Sequence, residues 1–336
     1  MKSFLKKTAI SMLVMGMAGT SFAAMSHNTA MWSPHMNGWF IGVDGLDIRP
    51  MNGDLDFVSI NPTSHGSYYS QAISTDYQWS WRLYGGIKFT DNDDITLSWI
   101  RMRADDSNSV GILEGNGGIP KWLDNSSWDS ISGKVDFDLD DVYGVWGHTI
   151  NFNNPWSVRF AAGLDYVRLN SDMTVNAVVI DSSNGSIGNT AHSHLRGFGP
   201  RVEFDATYHL PYNFALFANA NAALFMSERK ISIYPNVSPD IESDFFSTSF
   251  STRHVVVPKF GMRLGASYGW MFGQSGGEGG SVSTLTIDAG WQVESYIHAI
   301  ERPDGDFFDE SFQTTQASNF GDQGLFVGIK YSSDWL

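Results

Sequence analysis

Ionisable side chains recur along this chain at a spacing of two. Arg82 and Lys88 share one parity, as do Arg159 and Asp165, then Arg201, Glu203 and Asp205, then Lys259 and Arg263, then Asp288 and Glu294. Residues two apart lie on one face of a β-strand, so each set would line a single surface. Both signs are present, and the chemistry on offer is electrostatic. Such a surface can be a solvated lining that sets ion preference, or a salt-bridged filling of the same space.

Catalytic chemistry finds less support. His148, His192, His194, His254 and His298 are scattered singly, none in a motif with a nucleophile. The absence of cysteine excludes a disulfide frame, a thiolate metal site and a Cys nucleophile. Asp304-Gly305-Asp306 lacks the spacing of a calcium loop. Gly273-Gln274-Ser275-Gly276-Gly277 is followed by no Lys-Ser or Lys-Thr pair, so a phosphate loop is rejected. No enzymatic activity, cofactor or metal is expected.

The elements that must position the charges are strands. From Phe198 to Leu210 the chain alternates without a slip, with Val202, Phe204 and Tyr208 against Arg201, Glu203 and Asp205. Past Pro211 and Tyr212 a second run alternates, with Leu216, Leu224 and Met226 against Asn219 and Asn221. The two read as a hairpin whose strands exceed the five or six residues usual in soluble sheets and reach the length that a tilted strand needs to cross a bilayer. Similar runs begin near Trp39, Tyr77, Ile95, Val135, Val158, Val256, Leu285 and Leu325, with the phase interrupted near Asp140 and Asp141, where a bulge or late start is expected.

No stretch is apolar enough for a membrane-crossing helix, and mean hydropathy is -0.19, so a closed barrel is the remaining spanning solution. The expected fold is an all-β, antiparallel, up-and-down transmembrane barrel of about ten strands, with 8 or 12 as alternatives. Connections alternate in length: short at Asp91, Asn153 and Pro211, long across 49–76, 103–133, 170–194, 228–253 and 299–320. Short turns would be periplasmic and long loops extracellular. Trp79 and Trp81 near a long-loop end, with Phe89, Tyr208, Tyr268, Trp270 and Tyr331 near the short turns, would form two aromatic girdles.

The N-terminus carries Lys2, Lys6 and Lys7, the apolar stretch Ala9 to Ala18, and Ser21-Phe22-Ala23. This reads as a signal peptide over 1–23, cleaved after Ala23, followed by a short segment 24–37 and the barrel over 38–336. Its removal takes the formal net charge from -15 to -18, which argues against nucleic acid as a partner. Outer-membrane lipid, lipopolysaccharide and the barrel-assembly machinery are the expected partners, and homo-oligomerisation stays open.

Asp322, Gly324, Val327 and Ile329 look like a C-terminal barrel-assembly signal. Gly197-Phe198-Gly199-Pro200-Arg201-Val202, Val255-Val256-Val257-Pro258, Leu285-Thr286-Ile287-Asp288-Ala289-Gly290-Trp291 and Asn319-Phe320-Gly321-Asp322-Gln323-Gly324, with Ile41-Gly42 upstream, resemble the Legionella major outer membrane protein family. The resemblance implies a pore-forming barrel in the bacterial outer membrane. Any disulfide-linked assembly in that family does not transfer to a chain without cysteine. At about ten strands, geometry alone leaves pore and plug open, and only the resemblance favours a pore, a narrow one, for ions and small hydrophilic solutes. The alternative is a closed structural or adhesive surface barrel acting through acidic loops, with Asp105, Asp106, Glu114, Asp124 and Asp129 in one and Glu301, Asp304, Asp306, Asp309 and Glu310 in another.

Overall fold

The computed structural model describes residues 37–61, 69–112, 117–123, 128–152, 155–179, 185–237, 247–273, 282–304 and 314–334. The expected signal peptide and almost all of 24–37 lie outside the described residues, as do Glu114, Asp124, Asp306, Asp309 and Glu310. Ten long strands form the wall: β1 (Gly38–Asn52), β4 (Gln78–Lys88), β5 (Asp93–Gly111), β7 (Trp128–Phe152), β8 (Trp156–Val179), β9 (Ser186–His209), β10 (Phe214–Val237), β12 (Arg253–Gly273), β13 (Val282–Asp304) and β14 (Thr314–Asp334). Each pairs antiparallel with the next, β1 pairs with β14, and the ring closes without an edge. Four short strands lie beside them among the described residues: β2 (Asp56–Asn61), β3 (Tyr69–Ala72), β6 (Gly117–Pro120) and β11 (Thr248–Ser249).

Most of the strands, β4 excepted, run on past their alternating stretches, because the apolar face changes sides partway up. On β1, Trp39, Ile41 and Val43 point outward and Asp44 inward, but two residues on Leu46 and Ile48 are the buried ones. On β7 the outward Trp146 and Val142 oppose inward Tyr143 and Asp141, whereas above them Leu139, Phe137 and Val135 are inside. Pairing of β7 with β8 runs unbroken from Ser130 to Phe152, so the bulge expected near Asp140 and Asp141 is absent. What interrupts there is the environment: below, the wall faces lipid, and above, it encloses an apolar core.

The described residues of the long connections 103–133, 170–194, 228–253 and 299–320 are therefore largely strand, not loop. Asp105 and Asp106 lie on β5 and Asp129 on β7. Glu301 is buried on β13, paired with Arg229 and Arg253, and is not part of an exposed acidic loop. A bulge between Tyr296 and Ile300, with His298 at φ 53°, interrupts β13, and beyond it Glu301 and Arg302 are both buried.

Two connections supply a three-stranded sheet of β3, β2 and β6 in that order. Its Phe57, Val58 and Ile60, with Ile73, Trp122 and Leu123, join Trp128, Ile131, Val135 and Phe137 of the wall in one buried cluster. Gly133 is required at this contact, since a Cβ there would meet the Phe57 ring at 2.7 Å.

Candidate functional site in the barrel lumen

Exterior chemistry locates the membrane. Outward Trp39, Phe89, Trp156, Tyr208, Phe214, Tyr268, Trp270 and Tyr331 form a row at the short-turn rim, with Trp156–Tyr208 and Phe214–Tyr268 centroids 4.8 and 4.7 Å apart. An opposite row holds Trp79, Trp81, Trp99, Tyr166 and Phe198, with Trp81 edge-on to Trp99 at 4.8 Å. Between Tyr208 and Phe198, β9 runs about ten residues, roughly 25 Å of height at a tilt near 40°. Above Tyr166, Phe198 and Met226 the exterior turns polar, with Arg168, Arg196, Glu228 and Lys230 exposed.

Inside this band sit the charges, and they meet one another across the barrel. Lys259 on β12 lies between Asp141 on β7, Glu294 at 3.2 Å and Asp165 at 3.8 Å. Tyr296 donates to the same Asp141 carboxylate. Arg201 donates to Asp165 at 2.8 Å and Glu203 at 2.7 Å, with its guanidinium 3.7 Å over the Tyr143 ring. Arg263 reaches Asp44 on β1 at 2.7 Å, and Arg82 approaches the same carboxylate at 3.3 Å. Nearer the short turns Arg159 donates to Asp94 at 2.8 Å and Asp205 at 2.9 Å. Lys88 and Asp288 are half-buried on the same inner face.

The inner face thus carries all eleven charges singled out from the sequence, but Asp165, Lys259 and Arg201 are 0%, 0% and 2% exposed. They are packed against partners rather than bathed in solvent. Sequence reasoning missed Asp94, Asp141, Tyr143 and Tyr296 among those partners. Asp141 was hidden by the change of apolar face beside it. Asp94 lies in the short turn region before the alternation of β5 becomes evident.

Above the charges the interior holds the apolar cluster, and polar contacts fasten the segments around the inserted sheet to the wall. Arg302, 1% exposed, donates to the Asp54 carbonyl at 2.8 Å, Asn52 at 3.0 Å and Ser171 at 2.8 Å. Trp122 Nε1 donates to the Pro303 carbonyl at 2.8 Å, and Asn189 to the Trp122 carbonyl at 3.0 Å. Burial holds the Lys121 ammonium below the usual lysine range despite the Asp54 carboxylate that receives it.

On β14, Asp322 and Gly324 face inward while Val327 and Ile329 face lipid. Gln292 donates to Asp322 at 3.4 Å, and a Cβ on Gly324 would meet the Asp47 carbonyl at 2.1 Å.

A closed antiparallel ring with an apolar, aromatic-rimmed exterior and a charged interior defines a transmembrane β-barrel of the bacterial outer-membrane type. The family model described as Legionella pneumophila major outer membrane protein precursor matches residues 33–333. The chain belongs to that family, and its place is the bacterial outer membrane. No curated protein matches it. Among solved structures, the outer membrane protease OmpT from Escherichia coli is similar at 8% identity and TM-score 0.38, covering 91% of this chain and 99% of that one. OprG from Pseudomonas aeruginosa is 11% identical at TM-score 0.30, over 90% and 97% of the two chains. A Pseudomonas aeruginosa FadL homologue is 10% identical at TM-score 0.28, over 94% and 100%.

Proposed function

We propose that the protein is a porin-like channel of narrow bore for ions and small hydrophilic solutes, shut at its outer mouth in the state described. The observation that carries this reading is the contrast between the two halves of the interior. Above the membrane the interior is mainly apolar, with a few polar groups such as Arg302 and Glu301 at its margins, whereas through the apolar band it keeps Lys259, Arg201, Arg263, Arg159 and their carboxylates. Buried ion pairs give little net stability compared with well-packed apolar residues. A charged lumen is what ions would need once the mouth opens. The inserted sheet is the gate, and exchange of salt-bridge partners below it is the conducting path. The reading assigns no catalytic group. Arg168, Arg196 and Lys230, exposed just above the outer aromatic row, would face the phosphates of lipopolysaccharide.

The test is single-channel recording in planar bilayers under asymmetric salt. Discrete steps whose reversal potential shifts on Arg201→Glu support a channel lined by these residues. A second reading, a closed structural or adhesive barrel, draws on the dry packing of Phe57, Trp122 and Phe137. Folded protein that stays silent, even with the inserted sheet removed, would sink the channel and leave that reading.

A further inference from the structure

On the outer face of the wall, above the apolar band, β8 and β9 gather three metal-ligating side chains. His192 and His194 stand two apart on β9 and share one face, their rings parallel within 9° and 6.1 Å between centroids. Asp172 is the β8 partner of His192 in register, its Oδ1 2.7 Å from His192 Nδ1. One ligand atom from each of the three lies within 4.8 Å of the other two. The sequence alone scattered these histidines because 170–194 read as a loop. On strands, the His-X-His spacing becomes a two-point grip.

The surroundings fix the rings. Asn170 Oδ1 meets His194 Nδ1 at 2.8 Å, an orienting contact of the kind that metal-ligating imidazoles use. Tyr234 on β10 packs edge-on to His192 at 5.5 Å. A hydrogen bond between Asp172 and His192 would by itself need neither the second imidazole nor its alignment.

We propose that Asp172, His192 and His194 form a binding site for a divalent transition metal, Zn2+ foremost, on the outward wall of the barrel. Two imidazoles and a carboxylate suit such an ion, whereas Mg2+ and Ca2+ prefer all-oxygen sets. Ligand atoms around tetrahedral zinc stand roughly 3.3 Å apart. The paired backbone can therefore stay in place while the side chains draw in by about an ångström. The fourth position faces solvent. Asp172 supplies the charge that offsets Lys230, the register partner of His194, and the Arg168–Arg196 pair lower on the wall.

The test uses untagged protein folded in detergent and stripped with chelator, titrated with Co2+ and then Zn2+. One saturable equivalent of cobalt is expected, with visible absorption of low coordination number, and zinc should displace it. His192→Ala and Asp172→Ala should each weaken zinc binding about tenfold or more, and His254→Ala should leave it unchanged. Folding of each variant is read from heat-modifiable gel mobility. If His192→Ala does not fold, His192→Gln carries the comparison. Absent saturable binding, or binding indifferent to both substitutions, overturns the site.

Discussion

Lys259 has three carboxylates around it and no exposure to solvent, so its charge is balanced wholly by Asp141, Asp165 and Glu294. Removing one partner from a buried ionic set leaves the remaining charge uncompensated, at a cost of about 3–5 kcal/mol. Lys259→Met should lower the urea midpoint of the folded, heat-modifiable form by an amount corresponding to that range. A shift within about 0.5 kcal/mol, the ordinary surface effect, would mean that water or rearranged partners reach the site. Arg263 offers a graded comparison, because Asp44 also has Arg82 at 3.3 Å. Arg263→Met should therefore cost less than Lys259→Met in the same assay. The ordering follows from counting the cations left beside each carboxylate.

Each strand has to serve two solvents in turn, and this is why its alternation is legible only in part. On β8, outward Phe160, Leu164 and Tyr166 give way to Arg168, Asn170 and Asp172, while inward Asp165 gives way to Val167, Leu169 and Met173. A reader following one apolar parity stops at Tyr166, and takes the rest for loop. The ten-strand barrel, the hairpin at Pro211 and the inward charges of the membrane half were thus legible, because there lipid enforces a single parity. The outer half was not, since its apolar residues switch to the inner face at residues such as Asp44 and Asp141. The inserted sheet left a fainter trace still, because β2, β3 and β6 are short and pair only with one another. The same division yields a test. Phe160→Arg, at 51% exposure near the middle of the band, should cost about 2–4 kcal/mol in refolding into vesicles, whereas Asp47→Arg, on the outer side of β1 beyond Val43, should cost about 0–1. Equal costs would contradict the placement of the band. On β14, Gly324→Ala drives a methyl into the Asp47 carbonyl, a backbone atom that cannot swing aside. A loss of about 1–3 kcal/mol is expected from such overpacking, and refolding yield against wild type would show it.

At the scale of the whole molecule, two cores of opposite character are stacked along one barrel, and on the proposed channel reading the seam between them sets whether anything passes. The outer core behaves as the interior of a soluble domain: Phe57, Met102, Ile131 and Val135 are all 0% exposed, and Arg302 and Trp122 tie the inserted sheet to the wall. The inner core is ionic, and Asp165 lies within 4.0 Å of both Arg201 and Lys259, so that carboxylate keeps one cation when it releases the other. In a channel built this way the apolar cluster is the barrier to conduction. Truncating Phe57 removes a buried aromatic at a cost of about 3–5 kcal/mol. That loss falls on the closed mouth and not on the membrane-spanning wall, where Phe57 makes no part of the ladder. Phe57→Ala should therefore raise the open probability in bilayer recordings while the variant keeps its heat-modifiable, folded mobility. Arg302→Met should act in the same direction, since it releases Asp54 and Ser171 together. If both variants fold yet conduct no more than the wild type, the inserted sheet is not the gate, and the closed outer half must be a permanent feature of a barrel that works through its surface.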